Sequence, residues 1–280
     1  MKKSTTILLR VLAGLLGAAI LCFLMLFAFS FLGNPITSMV AEQKISDHIN
    51  QNFSFLKLER EKIFYNFKDG CYTIRVQDET SRDTHFSISY NPRTRTTNDD
   101  YAFRVSNGSN TWMRMEEEYA LILEARIRDY LAGQDSGYTC RTVNLMPNKE
   151  EELEALPLDA AFDKDYLKDH TVSISLVCPD FPADIQKTAR LMQELYQELE
   201  QQGDIFPAYT LYLDYAQDGQ DDGVVRLAGI TNAFPQDLET SDFPQQAEEL
   251  VENYQRKLDG LTHVYADFNP PQDKKDLETD

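Results

Sequence analysis

The 280-residue sequence lacks the motifs that most catalytic, cofactor and metal sites need. It has four histidines, and none of them occurs in an H-E-x-x-H or comparable zinc-binding spacing. It contains no G-x-S-x-G or S-x-x-K nucleophile motif, no phosphate-binding loop and no internal repeat. The sequence therefore predicts no catalytic residue, no cofactor-binding residue and no metal site.

Cysteine is also scarce, with four residues in the chain. Cys71 and Cys140 fall on predicted strands of one domain, and a disulfide between them is chemically allowed outside a membrane. The alternative is a pair of buried free thiols. Cys178 has no partner in this scheme. Cys22 lies inside a long apolar run and follows Leu21, where a lipoprotein site requires a small residue.

Positive charge is rare in the larger part of the chain. Residues 105–280 carry 14 Lys and Arg against 36 Asp and Glu, whereas residues 33–104 carry ten of each type. Nucleic acid and anionic lipid head groups repel a strongly negative surface. We therefore exclude nucleic acid as a partner and expect a protein partner from the cell envelope to present a basic surface.

Charge is absent altogether between Val11 and Leu32. As a helix these 22 residues would be about 33 Å long, enough to cross a hydrocarbon core of about 30 Å. Three cationic residues lie within residues 1–10, so this stub is predicted to be cytoplasmic and the chain after the span extracellular. The alternative is a signal peptide cleaved near Ser30, although such apolar regions usually have about 7–15 residues.

The rest of the chain is predicted to be α+β, with two small domains that each combine an antiparallel sheet with helices. The predicted organisation is a membrane-proximal domain over residues 33–146, a linker over 147–165, a distal domain over 166–268 and a disordered tail over 269–280.

In the first domain, Pro35 begins a helix and apolar residues then alternate with polar ones, as in half-buried strands. A second helix is predicted from Thr111 to Leu131, with Gly133 as its C-terminal cap. The predicted strands contain Ile63–Phe67, Tyr72–Val76, Phe86–Tyr90, Tyr101–Val105 and Tyr138–Leu145.

The distal domain is predicted to begin with the strand Val172–Cys178. A helix follows, starting near Asp180 and Pro182 and ending at Gly203. Two strands then precede a last helix, which Ser241 and Asp242 cap.

Two short patterns are candidate metal ligands. Asp83 and His85 are two residues apart, so on a strand they would share a face, but a polar strand end is the favoured interpretation. Asp218–Gly223 is similar to the first half of a calcium loop, but Gly229 occupies the position where the loop needs a bidentate Glu. A solvated hairpin tip is the simpler interpretation of this segment.

Three stretches resemble one known family. They are Gly33-Asn34-Pro35-Ile36 after the apolar run, the segment Tyr65–Gly70 leading into Tyr72-Thr73-Ile74, and Asp83-Thr84-His85-Phe86. Together they resemble the YfjL-like membrane-anchored proteins of Gram-positive bacteria. The resemblance implies an anchored, extracytoplasmic α+β protein and carries no known activity, because the family is uncharacterised.

These observations favour a single-pass protein of the cell membrane, held by a signal-anchor helix. Its extracytoplasmic region is expected to be a non-catalytic interaction or ligand-binding module. The lipid bilayer would be its partner through the N-terminal helix. The alternative is an envelope hydrolase whose carboxylate site has no recognisable sequence pattern.

Overall fold

The chain divides into two units. The computed structural model describes residues 2–134, 136–147, 156–178, 184–216, 224–252 and 263–268. The first unit comprises Met1–Thr111 with Ala155–Ala160, and the second comprises Trp112–Glu154 with Ala161–Asp280. The predicted α+β class, with an N-terminal apolar helix and two sheets, is confirmed.

The first unit contains two long helices and one sheet. Its helices are α1 (Lys2–Leu32) and α2 (Pro35–Asn52). Its strands are β1 (Leu58–Arg60), β2 (Phe64–Asn66), β3 (Cys71–Asp78), β4 (His85–Asn91) and β5 (Thr96–Asp99). The sheet is antiparallel in the order β1-β3-β4-β5, and β2 also pairs with β3.

Helix α1 differs from every other described helix in its apolar length. Within the described residues, one helical stretch is long and apolar enough to cross a membrane, with a mean hydropathy of 2.6. None of that apolar window is buried by the rest of the protein. Leu15, Leu16 and Phe23, for example, are each more than 60% exposed.

The core of the first unit forms where α2 packs on the sheet. The side chains of Ala41, Ile45 and Ile49 recur every four residues on α2 and are buried. They face the alternating buried residues of the two central strands, which are Tyr72, Ile74, Val76, Phe86, Ile88 and Tyr90. This alternation was the sequence signal for β3 and β4, and both strands are confirmed.

The predicted strand Tyr101–Val105 is wrong. Residues Ala102–Ser106 form a single π-helical turn, and Phe103 is exposed. Asp99 and Asp100 explain the change, because their carboxylates accept hydrogen bonds from the backbone N–H groups of Tyr101 and Ser87. These side-chain bonds end the strand ladder and let the chain turn.

The second unit contains a five-stranded sheet in the order β10-β9-β8-β7-β6. Its strands are β6 (Thr139–Pro147), β7 (His170–Val177), β8 (Tyr209–Ala216), β9 (Val224–Ala233) and β10 (Tyr265–Phe268). The helices that follow α2 are α3 (Ser109–Gly133), α4 (Ile185–Gln201), α5 (Pro235–Leu238) and α6 (Phe243–Glu252). Helix α3 belongs to the second unit from Trp112 onward.

One strand pair departs from the antiparallel expectation. Strands β7 and β8 are parallel, because α4 connects them as a crossover. Asp184 begins this helix by accepting a hydrogen bond from the N–H of Lys187 at 2.7 Å. Gly203, at φ +73, ends it as predicted.

The structural division differs from the predicted domain boundaries. Strand β6 was assigned to the first domain, but it pairs along its length with β7 and so belongs to the second sheet. The predicted linker 147–165 is also partly built into the fold. Within it, Leu156 is buried, and Asp159 accepts a hydrogen bond from the N–H of Asp83 at 2.9 Å.

Some predicted features lie outside the described residues. These are the calcium-like segment Asp218–Gly223, the predicted helix start at Asp180 and Pro182, and the tail 269–280.

Candidate functional site

The end of α1 and the start of α2 are fixed by several contacts with the first sheet. Gly33 lies between the two helices at φ +75, a left-handed conformation that glycine adopts without steric cost. Its N–H donates to the carbonyl oxygen of Phe29 at 3.1 Å and closes α1. A Cβ at this position would lie 2.8 Å from Cβ and Cγ of Tyr65, so the site has no room for a side chain.

Asn34 and Pro35 begin the second helix at once. The side-chain oxygen of Asn34 accepts a hydrogen bond from the N–H of Ile36 at 2.8 Å, as an N-cap does. Pro35 occupies the first turn, where its fixed φ suits a helix and its missing N–H costs nothing. Only Gly33 and Asn34 therefore separate α1 from α2.

Tyr72 attaches the segment between α1 and α2 to the sheet. Its hydroxyl accepts a hydrogen bond from the N–H of Asn34 at 2.7 Å and donates one to the carbonyl oxygen of the same residue at 3.1 Å. The ring is buried and packs against Tyr65, with 4.9 Å between the ring centroids. Both backbone groups of Asn34 are thus held by one side chain of strand β3.

The turn between β2 and β3 lies beside the end of α1. Gly70, at φ +72, closes the turn by donating its N–H to the carbonyl oxygen of Asn66. Asp69 accepts hydrogen bonds from the side chain of Asn66 and from the N–H of Cys71, both at 2.8 Å. This bracing positions Phe67, whose ring centroid is 5.6 Å from that of Phe31 near the end of α1.

Two sequence stretches that are far apart in the chain therefore meet in one place. The segment from Gly33 to Ile36 and the segment from Tyr65 to Tyr72 are two separate stretches of the family resemblance. The structure adds the contact between them, which sequence spacing alone does not reveal. We call Gly33 and Asn34, together with Tyr65 and Tyr72, the junction.

The two cysteines named in the disulfide hypothesis lie in different units. Cys71 belongs to the first unit and Cys140 to the second. Burial raises the pKa of the Cys71 thiol, and the nearby Asp69 carboxylate raises it further. Burial also raises the pKa of Cys140, to about 11. Both thiols are therefore poor nucleophiles near neutral pH, and their pairing stays a prediction.

Asp83 and His85 do not share one environment. Asp83 is buried, whereas the side chain of His85 is exposed. Their backbone carbonyls both accept hydrogen bonds from the side-chain amide of Asn110, at 2.9 and 2.6 Å. Among the described residues, no group of three or more His, Cys, Asp or Glu could hold a metal ion. The geometry gives this pair a structural role at the start of β4.

An open groove of about 580 Å³ lies over the first sheet. Arg75 and Ser87 are directly opposite each other on β3 and β4, as are Gln77 and His85. The guanidinium of Arg75 lies over the ring of Phe64, 5.7 Å from its centroid. The groove is lined by Glu59, Arg60, Glu61, Arg75, Val76, Gln77, His85, Phe86, Ser87 and Arg104. Such a mixed polar surface can hydrogen-bond a small polar ligand.

The second unit has a buried carboxylate, Asp204, with three partners among the described residues. Asp204 accepts hydrogen bonds from the hydroxyl of Tyr119 at 2.8 Å and from Nζ of Lys164 at 3.0 Å, and Arg126 forms an ion pair with its other oxygen. Burial raises the pKa of Tyr119 to about 12, and the positive charge of Arg126 partly opposes this rise. Removing one partner of such a buried ion pair is costly, because the remaining charge is left uncompensated in the interior.

The raised pKa of Tyr119 predicts a loss of stability at alkaline pH. The folded state holds this proton more tightly than the unfolded state, so the contribution is complete below about pH 10 and is lost between about pH 10 and 12. The loss should be at most about 2–3 kcal/mol. Chemical unfolding of the full chain in detergent, measured across this range, should give a smaller decline for Tyr119→Phe. Tyr166→Phe, at an exposed tyrosine of the same unit, is the matched control and should leave the decline unchanged.

Gly33→Ala should destabilise the first unit by about 1–3 kcal/mol, because it combines a left-handed backbone with a Cβ too close to Tyr65. Gly17→Ala is the matched control, since nothing lies within 4 Å of its added Cβ and alanine is the better helix former. Thermal unfolding of the full chain in detergent, followed by near-ultraviolet circular dichroism, measures both. Equal melting temperatures for the two variants would show that the junction tolerates a side chain.

Comparison with known proteins identifies one part of this architecture. Residues 8–101, about a third of the chain, match the sequence model of the YfjL-like N-terminal domain. No curated protein and no solved structure matches the chain. The matched residues include most of α1, the junction, α2 and the whole first sheet. Residues 8–101 of this chain are therefore similar to the N-terminal domain of the YfjL-like proteins.

Proposed function

We propose that the protein is a single-pass membrane protein whose two units form a non-catalytic binding region outside the membrane. The observation that carries the proposal is the junction. One hydroxyl group, that of Tyr72, holds both backbone groups of Asn34, so the first unit has a fixed orientation on the apolar helix. A module held in one orientation presents the same surface to every partner, which lowers the ordering cost of binding.

Several features support the membrane helix. The apolar side chains of α1 are exposed, and exposed apolar surface of this length is stable in lipid rather than in water. The cations of residues 1–10 precede the span and favour a cytoplasmic N-terminus.

The junction also supports a retained helix over a cleaved signal peptide. Cleavage after Ser30 would remove Phe29, whose carbonyl oxygen accepts the hydrogen bond from Gly33. It would also leave Phe31 at a free chain end, although this ring packs against Phe67.

The charge of the second unit supports recognition of a basic partner. Glu248 and Glu249 are exposed on α6, and Glu194 is exposed on α4. Residues 105–280 have a net charge of −22, so a positively charged protein surface would be attracted and its association rate would depend on salt.

The predicted topology has a direct test. Alkaline phosphatase fused to the C-terminus should be active in cells, because this enzyme folds only in an oxidising compartment. The intact chain should stay with the membrane after alkaline extraction, and external protease should digest the two units. An inactive fusion together with units protected from protease would overturn the topology.

The role of the acidic unit can be tested with two variants of equal total charge. Glu248→Lys with Glu249→Lys places the reversal on α6, and Glu42→Lys with Glu79→Lys places the same reversal on exposed positions of the first unit. With a partner recovered by crosslinking intact cells, the α6 variant should associate about tenfold more slowly at low salt.

The control variant should change this association rate much less. Equal effects of both variants would show that the acidic residues of α6 do not select the partner and serve only solubility. Turnover of a peptide or glycan by the purified chain, with the groove residue Glu59 or Glu61 required, would favour the hydrolase alternative.

A further inference from the structure

A row of aromatic rings continues from the apolar helix into the first unit. Phe23, Phe27 and Phe31 are four residues apart and so lie on one side of α1. The centroids of successive rings are 6.4 and 5.0 Å apart, and Phe67 extends the row at 5.6 Å from Phe31. The last ring of the row therefore belongs to the β2–β3 turn.

Phe67 has no part in the core of the first unit. Its side chain is 54% exposed, and its ring contact is with Phe31 of α1. The hydrogen bonds of Asp69 and Gly70 fix the turn beneath it, so the exposed ring is held in position. Lys68, the next residue, is also exposed.

The start of α2 has exposed apolar residues at the same end of the unit. Ile36 and Met39 are 74% and 73% exposed, and they come within two turns of Gly33. They are not needed for the core, because α2 packs on the sheet through Ala41, Ile45 and Ile49.

The location of Phe67 follows from its contact with the apolar helix. Phe31 is the next-to-last residue of the apolar run, so a bilayer that contains α1 has its outer boundary near this ring. A side chain that touches Phe31 lies within a few ångströms of that boundary. Aromatic rings and lysines are favoured at this depth, since the ring lies among the lipid head groups and the ammonium group reaches their phosphates.

We propose that Phe67, with Ile36 and Met39, forms a lipid-contact surface by which the first unit rests on the outer leaflet. The inference rests on the proposed membrane helix and goes beyond it. This surface contacts the outer leaflet at the depth where the lipid head groups meet the acyl chains. The junction holds the surface in register with the end of the span, and Lys68 adds a cation for the lipid phosphates.

The experiment uses the full chain reconstituted in phosphatidylcholine vesicles. Phe67→Trp places a fluorophore on the proposed surface with little change in shape. Phe55→Trp is the matched control, because Phe55 is 69% exposed in the same unit but follows the far end of α2, about 27 Å along that helix. The single native tryptophan, Trp112, is subtracted with the unchanged protein.

In vesicles whose acyl chains are brominated near the carbonyl, Phe67→Trp should be quenched at least threefold more than Phe55→Trp, and its emission should shift to the blue. Equal quenching of the two variants would overturn the lipid-contact surface. Flotation and alkaline extraction of the same samples keep the two inferences apart. If the Phe67→Trp protein is retained but its fluorescence is not quenched, this surface alone is defeated, whereas protein released by alkali defeats the membrane helix.

Discussion

The hydrogen bonds between the Tyr72 hydroxyl and the backbone of Asn34 are the constraint on which the orientation of the first unit depends. Gly33 itself restricts the backbone least, so contacts from the sheet must help to fix the chain at this point. The hydrogen bonds connect the N–H and the carbonyl oxygen of Asn34 to Tyr72 on the central strand β3. The absence of room for a Cβ at Gly33 follows from the same packing of Tyr65 against Tyr72.

The second unit reconciles a large negative charge with a packed interior. Its buried carboxylates are balanced individually: Asp204 by Tyr119, Lys164 and Arg126, and Asp214 by Ser175 and Arg226. Glu194 and Glu249, in contrast, are exposed on the surfaces of α4 and α6, where water and salt screen them. The buried carboxylates are thus compensated by neighbouring side chains. The exposed acids leave the surface of this unit negatively charged.

Sequence reasoning succeeded where one local signal determined the structure. Period-two alternation identified β3 and β4, and glycines marked the ends of helices. It failed where distant groups decided the outcome. The carboxylates of Asp99 and Asp100 turned the predicted strand at Tyr101 into a π-helical turn. Strand β6 belongs to the second sheet because it pairs with β7, a partner that its own sequence does not reveal. Strand β10 has only four residues with weak alternation, so its sequence does not predict a strand. The junction residues were recognised as a pattern, but their contact with Tyr72 required the folded chain.

The hydrogen bonds of Tyr72 are expected to hold the apolar helix and the first unit as one rigid body. Nitroxide amino acids at Leu16 on α1 and Glu42 on α2, both exposed, allow their separation to be measured by pulsed electron–electron double resonance in lipid nanodiscs. A rigid junction predicts one narrow distance distribution, which broadens in Tyr72→Phe because that change removes both hydrogen bonds to Asn34. A broad distribution in the unchanged protein, with no further broadening in Tyr72→Phe, would contradict it.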